Sequence, residues 1–134
     1  MTNIVEIEGI GAAFAAKLKE AGITTTEHLL EKGATAKGRQ ALVEATGIKD
    51  TLILKWVNRA DLSRVKGIGE QYSDLLEASG VDTVVELSQR APANLHAKLE
   101  EVNATKKLVR QLPSEAVVAD WVENAKSLAR VVTH

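Results

Sequence analysis

The feature that most constrains this chain is that much of it is written twice. Ile7-Glu8-Gly9-Ile10-Gly11 aligns with Val65-Lys66-Gly67-Ile68-Gly69, and Phe14 falls over Tyr72, Leu18 over Leu76, Gly22 over Gly80 and Ile23 over Val81, all at an offset of 58. Further on, Leu52-Ile53-Leu54-Lys55-Trp56-Val57 resembles Val117-Val118-Ala119-Asp120-Trp121-Val122 at an offset of 65, so the second copy has gained seven residues, which we place within 103–114. Self-similarity at a fixed spacing means one supersecondary unit built twice. The expected units are residues 1–62 and 63–134. No Pro-, Gly- or Ser-rich linker separates them, which predicts one compact helical body.

The hydrophobic spacing is helical throughout. Residues 12–21 place Ala15, Leu18 and Ala21 on one face, and Gly22 stands where a left-handed helix stop is wanted; residues 71–79 and Gly80 repeat the arrangement. Threonine start signals follow in both copies: Thr24-Thr25-Thr26-Glu27, then Asp82-Thr83 with Glu86 at capping-box spacing. These predict second helices over 27–32 and 84–90. Third helices are expected over 36–45 and from Pro92, and fourth helices over 50–62 and 114–128, the last with Ser114 as its N-cap. Alternating β-branched runs do not extend beyond Ile4-Val5 and Val131-Val132, so the expectation is an all-α protein of about eight short helices.

The Gly-Ile-Gly segments carry the chemical information. Glycine permits positive φ in a tight turn and keeps side chains away from the amides that follow. Consecutive N–H groups opening a helix then form a seat for a phosphate oxygen, a contact that positions a protein on nucleic acid without reading its sequence. A hydrophobic residue, Gly-Ile-Gly, an aromatic three residues on, then Leu and a closing glycine resembles the helix-hairpin-helix motif of DNA repair and recombination proteins. The tandem arrangement is similar to that of small bacterial tandem helix-hairpin-helix proteins whose function is not established, and the likeness covers essentially the whole chain. It implies two helix-hairpin-helix repeats and a DNA-binding role.

Composition narrows the alternatives. Hydrophobic residues make up 45% and charged ones 26%, a globular balance. With 17 Lys and Arg against 18 Asp and Glu, no global positive field draws in nucleic acid, so any binding must come from a local patch. The absence of cysteine removes disulfides, thiolate metal sites and cysteine nucleophiles. His28, His96 and His134 lie in no metal-ligand spacing, and no nucleophile with a base, Gly-x-Ser-x-Gly elbow or phosphate-binding lysine loop occurs. No cofactor, no metal and no catalysis are expected. No apolar stretch approaches the roughly 20 residues that span a bilayer, so a cytoplasmic protein without a membrane partner is the expectation.

Local charge separates the two turns. Glu6 and Glu8 precede Gly9, Ile10 and Gly11, while Ala12 and Ala13 follow, a poor setting for a phosphate. Arg64 and Lys66 lead into Gly67, Ile68 and Gly69, although Glu70 follows directly. If the inserted segment folds beside the second turn, Lys106, Lys107 and Arg110 would join Arg64 and Lys66 around it. The plainer reading makes both turns structural, with Ile10 and Ile68 in the core, and makes Lys37, Arg39 and the 106–110 cations ordinary helix-surface charges. A cation site made by hairpin carbonyls is a third possibility. Pairing of Phe14 with Tyr72 and of Trp56 with Trp121 across the duplication predicts core anchors rather than base-stacking platforms. The expected function is non-catalytic, sequence-independent binding of duplex DNA through the second turn; the alternative is a protein-interaction or scaffold module.

Overall fold

The computed structural model describes residues 3–7 and 9–133, so Glu8 and His134, both named above, lie outside the described residues. These residues form eight α-helices and one 3-10 turn, Ile4–Glu6, with a single isolated bridge between Asn3 and Thr25. The helices are α1 (Ala12–Glu20), α2 (Thr26–Gly33), α3 (Ala36–Thr46), α4 (Asp50–Leu62), α5 (Glu70–Ala78), α6 (Val84–Ser88), α7 (Pro92–Lys106) and α8 (Glu115–Ser127). The chain divides into two compact units, Met1–Asp61 with Val131–His134, and Leu62–Arg130.

The helix starts show how the second copy grew. α1 and α5, like α2 and α6, begin 58 residues apart, whereas α3 and α7 begin at 36 and 92, 56 apart, and α4 and α8 at 50 and 115, 65 apart. The net gain of seven is therefore a loss of two before the third helix and a gain of nine after its start. The gain lengthens that helix from 11 to 15 residues and widens the connector behind it.

In the first unit, Leu18, Ile23, Leu29, Ile53 and Val57 are fully buried, with Trp56 and Ile10 beside them. Its α1 ends in a Schellman stop: Gly22, at φ +85°, donates to the Lys19 carbonyl at 2.9 Å, and Ile23 donates to Leu18 at 2.9 Å. Lys32 Nζ then donates to the carbonyl of Ala21 at 3.3 Å. Thr25 caps α2 by accepting from the amide of His28 at 3.2 Å, and Thr35 caps α3 through Gly38 at 3.0 Å.

The second unit repeats these devices. Leu76, Val81, Leu87, Leu99 and Val118 are fully buried, with Ile68 and Trp121 beside them. Gly80 (φ +92°) and Val81 close α5 as Gly22 and Ile23 close α1. Arg90, the counterpart of Lys32, donates to the Gly80 carbonyl at 3.1 Å. Thr83 accepts from the Glu86 amide at 3.2 Å, but the Glu86 carboxylate reaches forward to Arg90 at 3.0 Å instead of back to the cap. Ser114 is the N-cap of α8, accepting from Val117 at 3.2 Å.

Arg39 departs from its expected place on a solvated helix face. It is only 8% exposed, and its guanidinium donates to the carbonyls of Gly33 (2.9 Å), Ala34 (3.1 Å) and Thr133 (2.7 Å). Thr133 donates its own amide to Ala34 at 2.8 Å, and Val132 is buried in the first unit's core. The α2–α3 corner thus leaves carbonyls that a long, multiply donating side chain can satisfy, which offsets the desolvation that pulls the Arg39 pKa below its usual value.

Candidate functional site

Each unit builds its Gly-Ile-Gly turn the same way. Ile10 donates to the Ile7 carbonyl at 3.1 Å and Ile68 to that of Val65 at 3.2 Å, while the isoleucine side chains enter the core, 4% and 5% exposed. The two glycines of each turn do different work. Gly9 and Gly67 hold φ of +93° and +92°, a region that L side chains rarely adopt. Gly11 and Gly69 lie at φ −84° and −92°, where any residue fits; they are the N-caps of α1 and α5, and a Cβ on either would meet nothing within 4 Å. The second glycine therefore leaves open space before the helix start and is not required by its φ.

Behind each turn stands an aromatic pair. Trp56 and Phe14 have centroids 5.2 Å apart at 59°, and Trp121 and Tyr72 have centroids 5.2 Å apart at 55°, tilted contacts of the kind aromatic quadrupoles favour. The tryptophans are 1% and 3% exposed, as the duplication predicts for anchors. The indole nitrogen of each approaches the first glycine of its turn: a Cβ on Gly9 would stand 3.4 Å from Trp56 Nε1, and one on Gly67 would stand 3.2 Å from Trp121 Nε1.

The cations named from the sequence divide into two groups. Arg64 donates its guanidinium to the carbonyl of Ala129 at 2.7 Å, just past the end of α8. Lys66 is exposed, and its backbone amide donates to Asn124 Oδ1 at 3.2 Å, which pins the turn to α8. A cleft of about 350 Å³ opens there, lined by Lys66, Gly67, Val117, Asp120, Trp121 and Asn124.

Lys106, the last residue of α7, and Lys107 and Arg110 on the connector from α7 to α8 are exposed. That connector is held in place. Lys107 takes a left-handed conformation at φ +50°; Asn103 donates its amide to the Val109 carbonyl at 3.1 Å and accepts from the Val109 amide at 3.0 Å. The Tyr72 hydroxyl donates to the carbonyl of Gln111 at 3.3 Å, which brings the residue after Arg110 to the first turn of α5. Tyr72 in turn packs on Trp121, which lines the Lys66 cleft.

Of the nine Lys and Arg in the second unit, Arg64, Arg90, Lys98, Lys126 and Arg130 have partners. The side chains of Lys66, Lys106, Lys107 and Arg110 find none among the described side chains. Sequence reasoning missed the part played by Tyr72. The signal was present, since the one chemical difference between Phe14 and Tyr72 is a hydroxyl, and it appears in the copy that carries the insertion.

Elsewhere, His28 Nδ1 accepts from the Thr24 amide at 3.4 Å and His96 lies 3.3 Å from Glu100. Among the described residues no three His, Asp or Glu side chains are grouped to hold a metal ion, and no helix is long and apolar enough to cross a membrane. A family model described as a domain of unknown function, DUF4332, matches residues 8–128. No curated protein and no solved structure matches the chain.

Proposed function

The chain belongs to the DUF4332 family, whose description assigns no role, and from its own residues we propose that it is a non-catalytic helix-hairpin-helix protein that binds duplex DNA without sequence preference. The second turn is the proposed binding element. Backbone amides opening α5 beyond Gly69 take a phosphate oxygen, Lys66 supplies charge beside them, and Lys106 at the end of α7, with Lys107 and Arg110 on the connector, reaches neighbouring phosphates.

The observation that carries this reading is the distribution of uncommitted charge. In a unit with ten acidic residues, the four cations without a partner among the described side chains are those of the turn, the last residue of α7 and the connector, and Tyr72 links that connector to the helix the turn opens. The first turn is assigned a packing role. Glu8 stands in sequence where the second copy has Lys66, and Ala12 and Ala13 follow it.

Charge reversal tests the reading. Lys66→Glu combined with Lys106→Glu is expected to abolish duplex binding in a fluorescence-anisotropy titration at low salt while the circular dichroism spectrum stays unchanged. Unchanged affinity in that double variant removes the proposed site. It would turn the search to a protein partner, the alternative function for a fold of this kind.

A further inference from the structure

Trp121 presents a polar group, its indole Nε1, with no hydrogen-bond partner among the described residues. The residue is 3% exposed, and Nε1, which is not sealed from solvent, remains free to donate. It lines the cleft beside Lys66, and it sits 3.2 Å from the place a Cβ on residue 67 would occupy. Any L side chain there would crowd the N–H. Gly67 thus serves two ends, the positive φ of the turn and an open approach to the indole. The Lys66 amide bonded to Asn124 Oδ1 holds the turn against the helix that carries Trp121, so donor and turn keep a fixed relation.

Resting on the nucleic-acid reading above, we infer that the Trp121 indole N–H is a binding donor of the second turn, giving its hydrogen bond to a phosphodiester oxygen that Lys66 attracts into the cleft. An indole nitrogen only donates, so the group it serves must be an acceptor. Lys66 makes an anionic acceptor the favoured one. Asp120, exposed on the wall of the same cleft, opposes that anion and limits the affinity. In the first unit the Trp56 indole nitrogen stands 3.4 Å from where a Cβ on Gly9 would lie, but Glu8 takes the sequence position of Lys66, so Trp56 is an internal control.

The test uses the full chain labelled with nitrogen-15 and titrated with a duplex DNA oligonucleotide at low salt. Two indole N–H signals are expected from the two tryptophans, assigned with a Trp56→Phe variant. The Trp121 signal should move downfield as duplex is added while the Trp56 signal stays in place. Trp121→Phe, which keeps a ring against Tyr72, should weaken duplex binding about tenfold, the worth of one hydrogen bond to a charged acceptor. Asp120→Asn should tighten it by a few fold.

Movement of the backbone amides of residues 67–70 with an unmoved Trp121 indole signal overturns this inference and leaves the DNA-binding reading standing. Equal movement of both indole signals overturns its assignment to the second turn. If no signal moves at all, the DNA-binding reading itself fails and takes the inference with it. Weaker binding by Asp120→Asn would mean that the cleft takes a cationic or hydrogen-donating group instead.

Discussion

Arg39 and Leu95 occupy matching places, each the fourth residue of the third helix in its unit, and each fills its site differently. Leu95 is buried among apolar neighbours. Arg39 is buried against three carbonyls, one of them 94 residues away in sequence. No local pattern announces such a partner, which is why Arg39 reads from the sequence as a surface charge between Lys37 and Gln40. Arg39→Ala strands acceptors that water cannot easily reach, so unfolding in urea should show a loss of about 2 to 4 kcal/mol. A loss within experimental error would mean that these carbonyls are not satisfied through Arg39. The aromatic residues were far more legible, because duplication pairs Phe14 with Tyr72 and Trp56 with Trp121 at positions that each unit then brings to 5.2 Å.

Helix existence followed from periodicity, and the ends followed from residues with one local job: Gly22 and Gly80 as stops, Thr25, Thr83 and Ser114 as caps. Ends marked by such a residue shifted by one residue at most, and the largest shift fell at an end lacking one. The second helix of the second unit closes at Ser88, two residues short of its expected end, and Arg90 bends back to Gly80. The connector is the element on which the proposed site most depends, and its order was not legible. Spacing locates an insertion but does not reveal that Asn103 will hold both backbone groups of Val109. Asn103→Ala removes both bonds and should leave the helices intact. Hydrogen exchange at the Val109 amide should then accelerate by tenfold or more, as a bond worth at least about 1.4 kcal/mol would require, and duplex affinity should fall. Unchanged exchange at Val109 would show that other contacts order the connector.

Across the whole chain, 17 basic residues against 18 acidic ones give no long-range attraction for a polyanion, so the proposed association with DNA would rest on the local group Lys66, Lys106, Lys107 and Arg110. Duplication and helical class were readable from sequence because every copy of a residue repeats the evidence for its role. The return of Val131–His134 to the first unit was not, since it depends on Val132 entering a core and Thr133 meeting Ala34 and Arg39, contacts that have no counterpart in the other copy. In the proposed binding mode Lys66, Lys106, Lys107 and Arg110 neutralise phosphates. The measurement that tests it most directly is the salt dependence of duplex binding followed by fluorescence anisotropy. Two to four phosphate contacts predict saturable binding at low salt and a slope of log K against log salt of about −2 to −4. Absence of binding at low salt, or a slope near zero, would mean that these cations neutralise no phosphates.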